Sequence, residues 1–295
     1  MQWIEVSVDA TRSWVEAVGD ALLQHCPQGF SESAAGRAGH RLLRAYLPTG
    51  VDGRARLRLL RRAVLTLAGR PRVRTRVVSN AGWAALWKIH ARPFLVGRIL
   101  IQPSGGTVHA DRRGDGRAAG RAGRRVVVRL DPGMAFGSGE HASTQLCLSA
   151  IERCVPHGSV LIDLGTGSGI LAIAAARFGA RRVLAIDNDP LAVAVARANV
   201  RRNGVARRVT VRRGEGLAGV RLRANLIVAN LTADILPGVL DDVARCLVPG
   251  GGFVASGFGS PRVAEVRRRI RAAGLRVAAT RRVRGWCAVH AVSRP

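Results

Sequence analysis

The sequence has no run of about 20 apolar residues, so no membrane-spanning helix is expected. Its first residues, Met1-Gln-Trp-Ile-Glu5, lack the basic-then-apolar pattern of a secretory signal. Cysteine is sparse and dispersed: Cys26, Cys147, Cys154, Cys246 and Cys287 form no C-x-x-C pair. An odd, scattered set excludes a disulfide framework or a cysteine zinc site and points to reduced thiols in a cytoplasm. No H-x-x-x-H or H-E-x-x-H spacing is present, so no metal site is expected. Aromatic residues make up only 4% of the chain, which leaves few side chains for stacking nucleobases. Lysine is nearly absent: of 47 basic residues only Lys88 is lysine, and the rest are arginine.

What is abundant is positive charge, +28 over 295 residues. A basic balance of this size raises the question of a nucleic-acid surface. The arginine skew, with much Ala, Gly and Val, reads more simply as compositional bias. The charge is also even along the chain, +14 over residues 1–125 and +14 over 126–295. The reading is therefore sequence-independent attraction to polyanions at low salt, and no specific nucleic-acid partner.

The stretch that organises the chain is Val160-Leu-Ile-Asp163-Leu-Gly165-Thr166-Gly167-Ser168-Gly169-Ile170. It reads as a buried strand, a glycine turn and a helix over Ile170–Phe178. A turn of this kind aims backbone N–H groups at a nucleotide-like ligand. A second strand, Arg182–Ile186, ends in Asp187, where an acid can accept hydrogen bonds from two ribose hydroxyls. The glycines run G-x-G-x-G, with Ile170 where a dinucleotide site would have its third glycine. With Asp163 two residues before the first glycine, the stretch resembles the S-adenosylmethionine (SAM) site of class I methyltransferases, which implies SAM rather than a nicotinamide or flavin. Gly165 and Gly167 are the expected backbone contacts.

Upstream, Trp3–Val8 alternates like a strand, Ser13–Cys26 has helical spacing, and Arg41–Leu47 reads as a strand. Arg54–Leu67 follows as a helix and Val73–Val78 as a strand. This alternation predicts a small ferredoxin-like α+β domain over residues 1–80, read as a substrate-recognition domain. Residues 81–125 are expected to link it onward through a short helix ending before Pro93, a strand over Phe94–Ile101 and an Arg/Gly-rich loop. A Rossmann-like methyltransferase domain is expected over 126–295. Its later elements are a helix over Pro190–Asn203, strands over Val209–Val211 and Ala224–Ala229, a helix over Ile235–Leu247, and a turn at Pro249–Gly252. After these come a strand over Phe253–Ser256, a helix over Val263–Ala273 and a closing antiparallel pair. Glu215 falls where the adenine edge should lie. Asn230, at a strand tip, is placed to orient the methyl donor or an amine.

Just before the first strand of that domain runs Asp131-Pro-Gly-Met-Ala-Phe136-Gly-Ser-Gly-Glu-His141, followed by Ser143-Thr144. Ser143 or Thr144 is expected to cap a helix over Gln145–Cys154, and the turn containing Phe136 to cover the methionine end of the ligand. These residues, with Asp163–Gly169, Asp187-Asn-Asp-Pro190, Val228-Ala-Asn230-Leu, Trp3-Ile-Glu-Val, Trp87-Lys88 and Gly285-Trp-Cys287, carry a resemblance. The chain resembles, nearly end to end, the methyltransferases that modify large-subunit ribosomal protein L11. The resemblance implies SAM contacts from Thr144, Gly165, Asp187 and Asn230, ribosomal protein L11 as partner, and an N-terminal domain that grips that substrate. The family usually has threonine where Ser138 stands, and a shorter loop after the hinge strand. The expected protein is a monomer. The expected reaction is in-line attack of a neutral lysine or N-terminal amine on the sulfonium methyl. Neither His141 nor Asp234 is assigned as a general base by the sequence. Two alternatives stay open: a class I methyltransferase for another protein, a small amine or RNA, and a non-catalytic SAM-binding or ribosome-docking protein.

Overall fold

A computed structural model describes residues 2–26, 30–67, 69, 71–79, 92–103, 125–131 and 137–294. The expected linker helix over 81–93 lies mostly, and the Arg/Gly-rich loop almost wholly, outside these residues.

The N-terminal part runs β1 (Gln2–Thr11), α1 (Val15–His25), β2 (Phe30–Ala34), β3 (His40–Pro48), α2 (Val51–Leu65), β4 (Val73–Ser79). The sheet order is β2-β3-β1-β4, all antiparallel. This is the β-α-β-β-α-β order of ferredoxin-like sandwiches. β1 forms because Ile4, Val6, Val8 and Ala10 alternate onto one buried face, where Leu22 of α1 and Leu60 and Val64 of α2 meet them. β2 went unread in the sequence: Phe-Ser-Glu-Ser-Ala has a single large apolar residue, so its strand character comes from pairing with β3 and from burying Phe30.

A short three-stranded sheet follows: β5 (Phe94–Val96), β6 (Ile99–Pro103) and β7 (Val126–Leu130). The single strand expected over Phe94–Ile101 is instead a hairpin. Gly97 turns it with φ of 57°, and the Glu152 carboxylate accepts from the Arg98 backbone N–H at 3.3 Å and from its Nε at 2.8 Å.

The large sheet is ordered β10-β9-β8-β11-β12-β14-β13. Its strands are β8 (Val160–Leu164), β9 (Arg182–Asp187), β10 (Val209–Arg213), β11 (Ala224–Asn230), β12 (Leu247–Gly259), β13 (Arg276–Val283) and β14 (Trp286–Val292). The first five are parallel, and β14 runs antiparallel between β12 and β13. The helices are α3 (Ala142–Cys154), α4 (Ile170–Arg177), α5 (Pro190–Arg202), α6 (Leu240–Cys246) and α7 (Val263–Ala272). Every residue of β8 is buried, as a central parallel strand requires. Two expectations change here. The helix over Ile235–Leu247 starts as a 3-10 turn at Leu236–Val239, because Pro237 cannot donate to an α-helical ladder. Pro249–Gly252 belongs to β12, and a register shift opposite Ala224 and Leu226 absorbs the extra residues.

The N-terminal sandwich shares a core with the large sheet. Phe30, His141 and Trp286 stack edge to face, with ring centroids 4.9 Å apart for Phe30–His141 and 4.4 Å for His141–Trp286. On α1, Glu16 Oε1 accepts from the Ser260 backbone N–H at 3.1 Å. The Ser260 N–H also donates to the Gly285 carbonyl at 2.9 Å, so replacing Glu16 with alanine removes one acceptor without orphaning the donor and is expected to lower unfolding free energy by about 0.5–1.5 kcal/mol in urea denaturation. Glu16→Gln keeps the acceptor and should lose less. Burial and then the Glu16 charge push neighbouring Asp20 up to about 6, so removing that charge also relieves Asp20.

Candidate active site

The site is built on the carboxyl ends of β8, β9 and β11. After β8 the chain turns through Gly165, Gly167 and Gly169 with φ of 73°, 54° and 84°, a conformation that L side chains rarely adopt. A Cβ on Gly165 would lie 2.5 Å from Leu231 Cδ2, so glycine lets the turn approach the residue after Asn230. Gly165 and Thr166 donate their N–H groups to the Ile186 carbonyl, both at 2.9 Å, which fixes the turn against the tip of β9.

At that tip Asp187 Oδ2 accepts from the Gly167 N–H at 2.9 Å and Oδ1 from the Asp189 N–H at 3.0 Å. Burial raises its pKa above the usual carboxylate value, and the backbone donors oppose the rise. Each carboxylate oxygen keeps a further lone pair for a hydroxyl donor. Asp189 caps α5 through the Leu191 N–H at 2.8 Å.

Asn230 ends β11. Its Nδ2 donates to Thr144 Oγ1 on α3 at 3.1 Å, while its Oδ1 is buried with no partner among the described residues. Thr144 itself is buried. The expected capping changes here. α3 begins at Ala142 and its N-cap is His141, whose Nδ1 accepts from the Ser143 N–H at 3.3 Å. Thr144 is thereby freed from capping and faces Asn230 instead. Burial between Phe30 and Trp286 pushes His141 down to about 3, which keeps the ring neutral at physiological pH. In this position it caps α3 and packs between the Phe30 and Trp286 rings. Asp234 is exposed and paired with Arg262 at 2.8 Å.

Of the expected contacts, Thr144, Gly165, Gly167, Asp187 and Asn230 come together on this edge. Glu215 lies in the turn after β10, where the preceding Gly214 N–H donates to the Asp187 carbonyl at 3.0 Å; its side chain is exposed. Phe136 lies outside the described residues.

Sequence reading missed the braces. Asn199, fully buried on α5, donates through Nδ2 to the Asp131 carbonyl at 3.0 Å and the Ser168 carbonyl at 2.9 Å, and its Oδ1 accepts from the Asp131 N–H at 3.0 Å. Ser168 Oγ donates to the Gly137 carbonyl at 2.6 Å. Asp131 and Gly137 are thus both tied to the glycine turn. Asn199 and Asn203 stand at i and i+4 in an Ala/Val helix, and that polar pair was the available signal.

Asp163 lies under the turn. Its Oδ2 accepts from Thr166 Oγ1 at 2.6 Å and from the Ala172 N–H at 3.1 Å; its Oδ1 is buried without a partner among the described residues. Burial raises its pKa to about 7. Since the folded value lies above the unfolded one, the folded state holds the proton more tightly between the two. The stability Asp163 contributes is therefore full at low pH and is lost as pH rises to about 7. Urea midpoints compared between about pH 5 and pH 8 should show Asp163→Asn removing this part of the downward slope.

These features fit a SAM-sized ligand: a glycine cradle that a Cβ would fill, a strand-tip carboxylate with spare lone pairs, and orphaned buried oxygens on Asp163 and Asn230.

The family model for ribosomal protein L11 methyltransferase matches residues 2–294. The ribosomal protein L11 methyltransferase of Pelotomaculum thermopropionicum is 37% identical over 315 residues, covering 99% of each chain. That of Caldicellulosiruptor bescii is 32% identical, covering 98% of each. The crystal structure of ribosomal protein L11 methylase from Lactobacillus delbrueckii subsp. bulgaricus superposes with a TM-score of 0.60 at 28% identity, covering 70% of this chain and all of that one. The chain belongs to the ribosomal protein L11 methyltransferase family.

Proposed function

We propose that this protein is a SAM-dependent protein N-methyltransferase that methylates lysine side chains or the N-terminal amine of ribosomal protein L11. The observation that carries the reading is the joined set at the sheet edge: the glycine turn, Asp187 bonded to Gly167, and Asn230 bonded to Thr144 beside Gly165. In this reading residues 126–295 form the methyltransferase domain, residues 1–80 hold the substrate, and residues 81–125 join them. The enzyme works as a cytoplasmic monomer.

Bound SAM would supply an electrophilic methyl group on a sulfonium. Gly165 and Gly167 present backbone to it. Asp187 would take the ribose hydroxyls, Glu215 the adenine edge, and Thr144 would flank the methionine end. Asn230 Oδ1, an acceptor with no partner among the described residues, receives an N–H of the incoming amine and turns the amine's lone pair toward the methyl. Proximity and orientation of this kind contribute on the order of 7–11 kcal/mol. A lysine amine must arrive neutral, against a free pKa of about 10.4, and a desolvated site lowers that value.

The test offers labelled SAM with purified L11, total ribosomal proteins or ribosomal RNA as acceptors. Label on L11 is the expected result. Label on RNA or another protein alone would overturn the substrate, and no label anywhere would overturn the reaction.

A further inference from the structure

The even spread of charge along the sequence does not survive folding. No aspartate or glutamate occurs from Gly53 to Ala110, a stretch that contains nearly all of α2. α2 buries Gly53, Leu60 and Val64 against its own domain. Its opposite side exposes Arg54, Arg58, Arg61 and Arg62, spaced i, i+4, i+7 and i+8, which is one helical stripe. Arg54 Nε donates to the Thr49 carbonyl at 3.2 Å and Arg61 Nη2 to Thr75 Oγ1 at 3.2 Å. Those partners are neutral, and neither arginine is paired with an acid among the described residues. Arg58 and Arg62 have no ion-pair partner among the described residues, whereas Arg56, off the stripe, is paired with Asp52 at 2.8 Å. Val51 at 86% exposure and Leu65 at 59% flank the arginines.

We propose that this face of α2 docks the phosphate backbone of RNA without reading its bases. Four-residue steps along a helix are about 6 Å apart, so the stripe offers a regular line of guanidinium forks. Such forks match phosphate oxygens two at a time. A membrane surface fits less well, because an interfacial helix needs a broad free apolar face, and on α2 Leu60 and Val64 are buried while the exposed Val51, Leu59 and Leu65 are separated by arginines. The stripe carries no Asn, Gln, Asp or Glu to read base edges. The choice of RNA rests on the proposed substrate being a ribosomal protein; the placement on α2 does not.

The test is fluorescence anisotropy of a short mixed-sequence RNA duplex titrated with the full chain, without L11 or SAM, over a range of salt. The triple variant Arg54→Gln, Arg58→Gln and Arg62→Gln should weaken binding about tenfold or more and make the log–log salt slope shallower by about 2–3. A matched variant, Arg268→Gln, Arg271→Gln and Arg276→Gln, carries the same loss of charge on exposed positions of α7 and β13. It should change binding by only about twofold. Unchanged circular dichroism and SAM affinity would show both variants folded. Equal weakening by the two variants would overturn the proposal, because affinity would then follow net charge. Tighter binding to a DNA duplex of equal length, or to anionic phospholipid vesicles, would overturn the assignment to RNA. Since no methyl transfer is measured, failure here is separate from failure of the proposed reaction.

Discussion

Replacing Asn230 with alanine is expected to lower kcat for methyl transfer about a hundredfold while SAM affinity changes only a few-fold. The argument starts from the side chain's two ends. Nδ2 is committed to Thr144 Oγ1, which fixes the amide plane. Oδ1 is then held, buried and unpartnered among the described residues, at the carboxyl end of a central strand. An acceptor kept in that state is stabilised when a donor arrives, and in the proposed mechanism that donor is the substrate amine. Alanine removes both the acceptor and the tether to α3, so the amine still reaches the site but with freedom about its attacking direction. Losses of this kind fall on kcat more than on binding, because the interaction matters most in the transition state. The check is steady-state kinetics with L11 as acceptor and calorimetry for SAM. Thr144→Val should reproduce part of the loss by releasing the amide. An unchanged kcat in Asn230→Ala would remove Asn230 from the mechanism.

The second large effect is at Asp187. Asp187→Ala should raise the Kd for SAM by about a hundredfold or more, with the domain still folded. Two hydrogen bonds from ribose hydroxyls to a carboxylate contribute about 1.5–3 kcal/mol each, and a tenfold change in Kd is about 1.4 kcal/mol. The variant also frees the Gly167 and Asp189 N–H groups that the carboxylate now accepts. Asp187→Asn separates these contributions. Its amide oxygen can still serve the glycine turn, but it accepts more weakly and places donors where ribose hydroxyls must donate. Titration calorimetry, with thermal denaturation as the fold control, distinguishes lost binding from lost structure. Unchanged affinity in both variants would refute the ribose assignment.

The parts of the fold set by local pattern were legible in the sequence. β8 is a short apolar run, its turn is marked by alternating glycines, and β9 ends in an acid; no other local structure suits those residues together. The alternation in β1 and the helical spacing in α1 and α2 were equally readable. What escaped depends on contacts distant in sequence. Phe30 belongs to a strand because β3 lies beside it and because His141 and Trp286 close over its ring. His141, rather than Ser143 or Thr144, caps α3, although serine and threonine are the better capping residues. That choice releases Thr144 for Asn230, a bond spanning 86 positions that no local pattern could reveal. Asn199 looked like an ordinary member of an Ala/Val helix until the chain brought Asp131 and Ser168 to it. The site's residue types were therefore readable, while the braces that hold them in place were not.

The most direct test of the account is to locate the transferred methyl groups. L11 incubated with SAM and enzyme would be digested and sequenced by tandem mass spectrometry, with Asn230→Ala run in parallel. The account predicts methyl groups on lysine Nζ or the N-terminal nitrogen with the wild-type enzyme, and almost none with the variant although it still binds SAM. Methyl groups on any other atom, or equal modification by both enzymes, would contradict it.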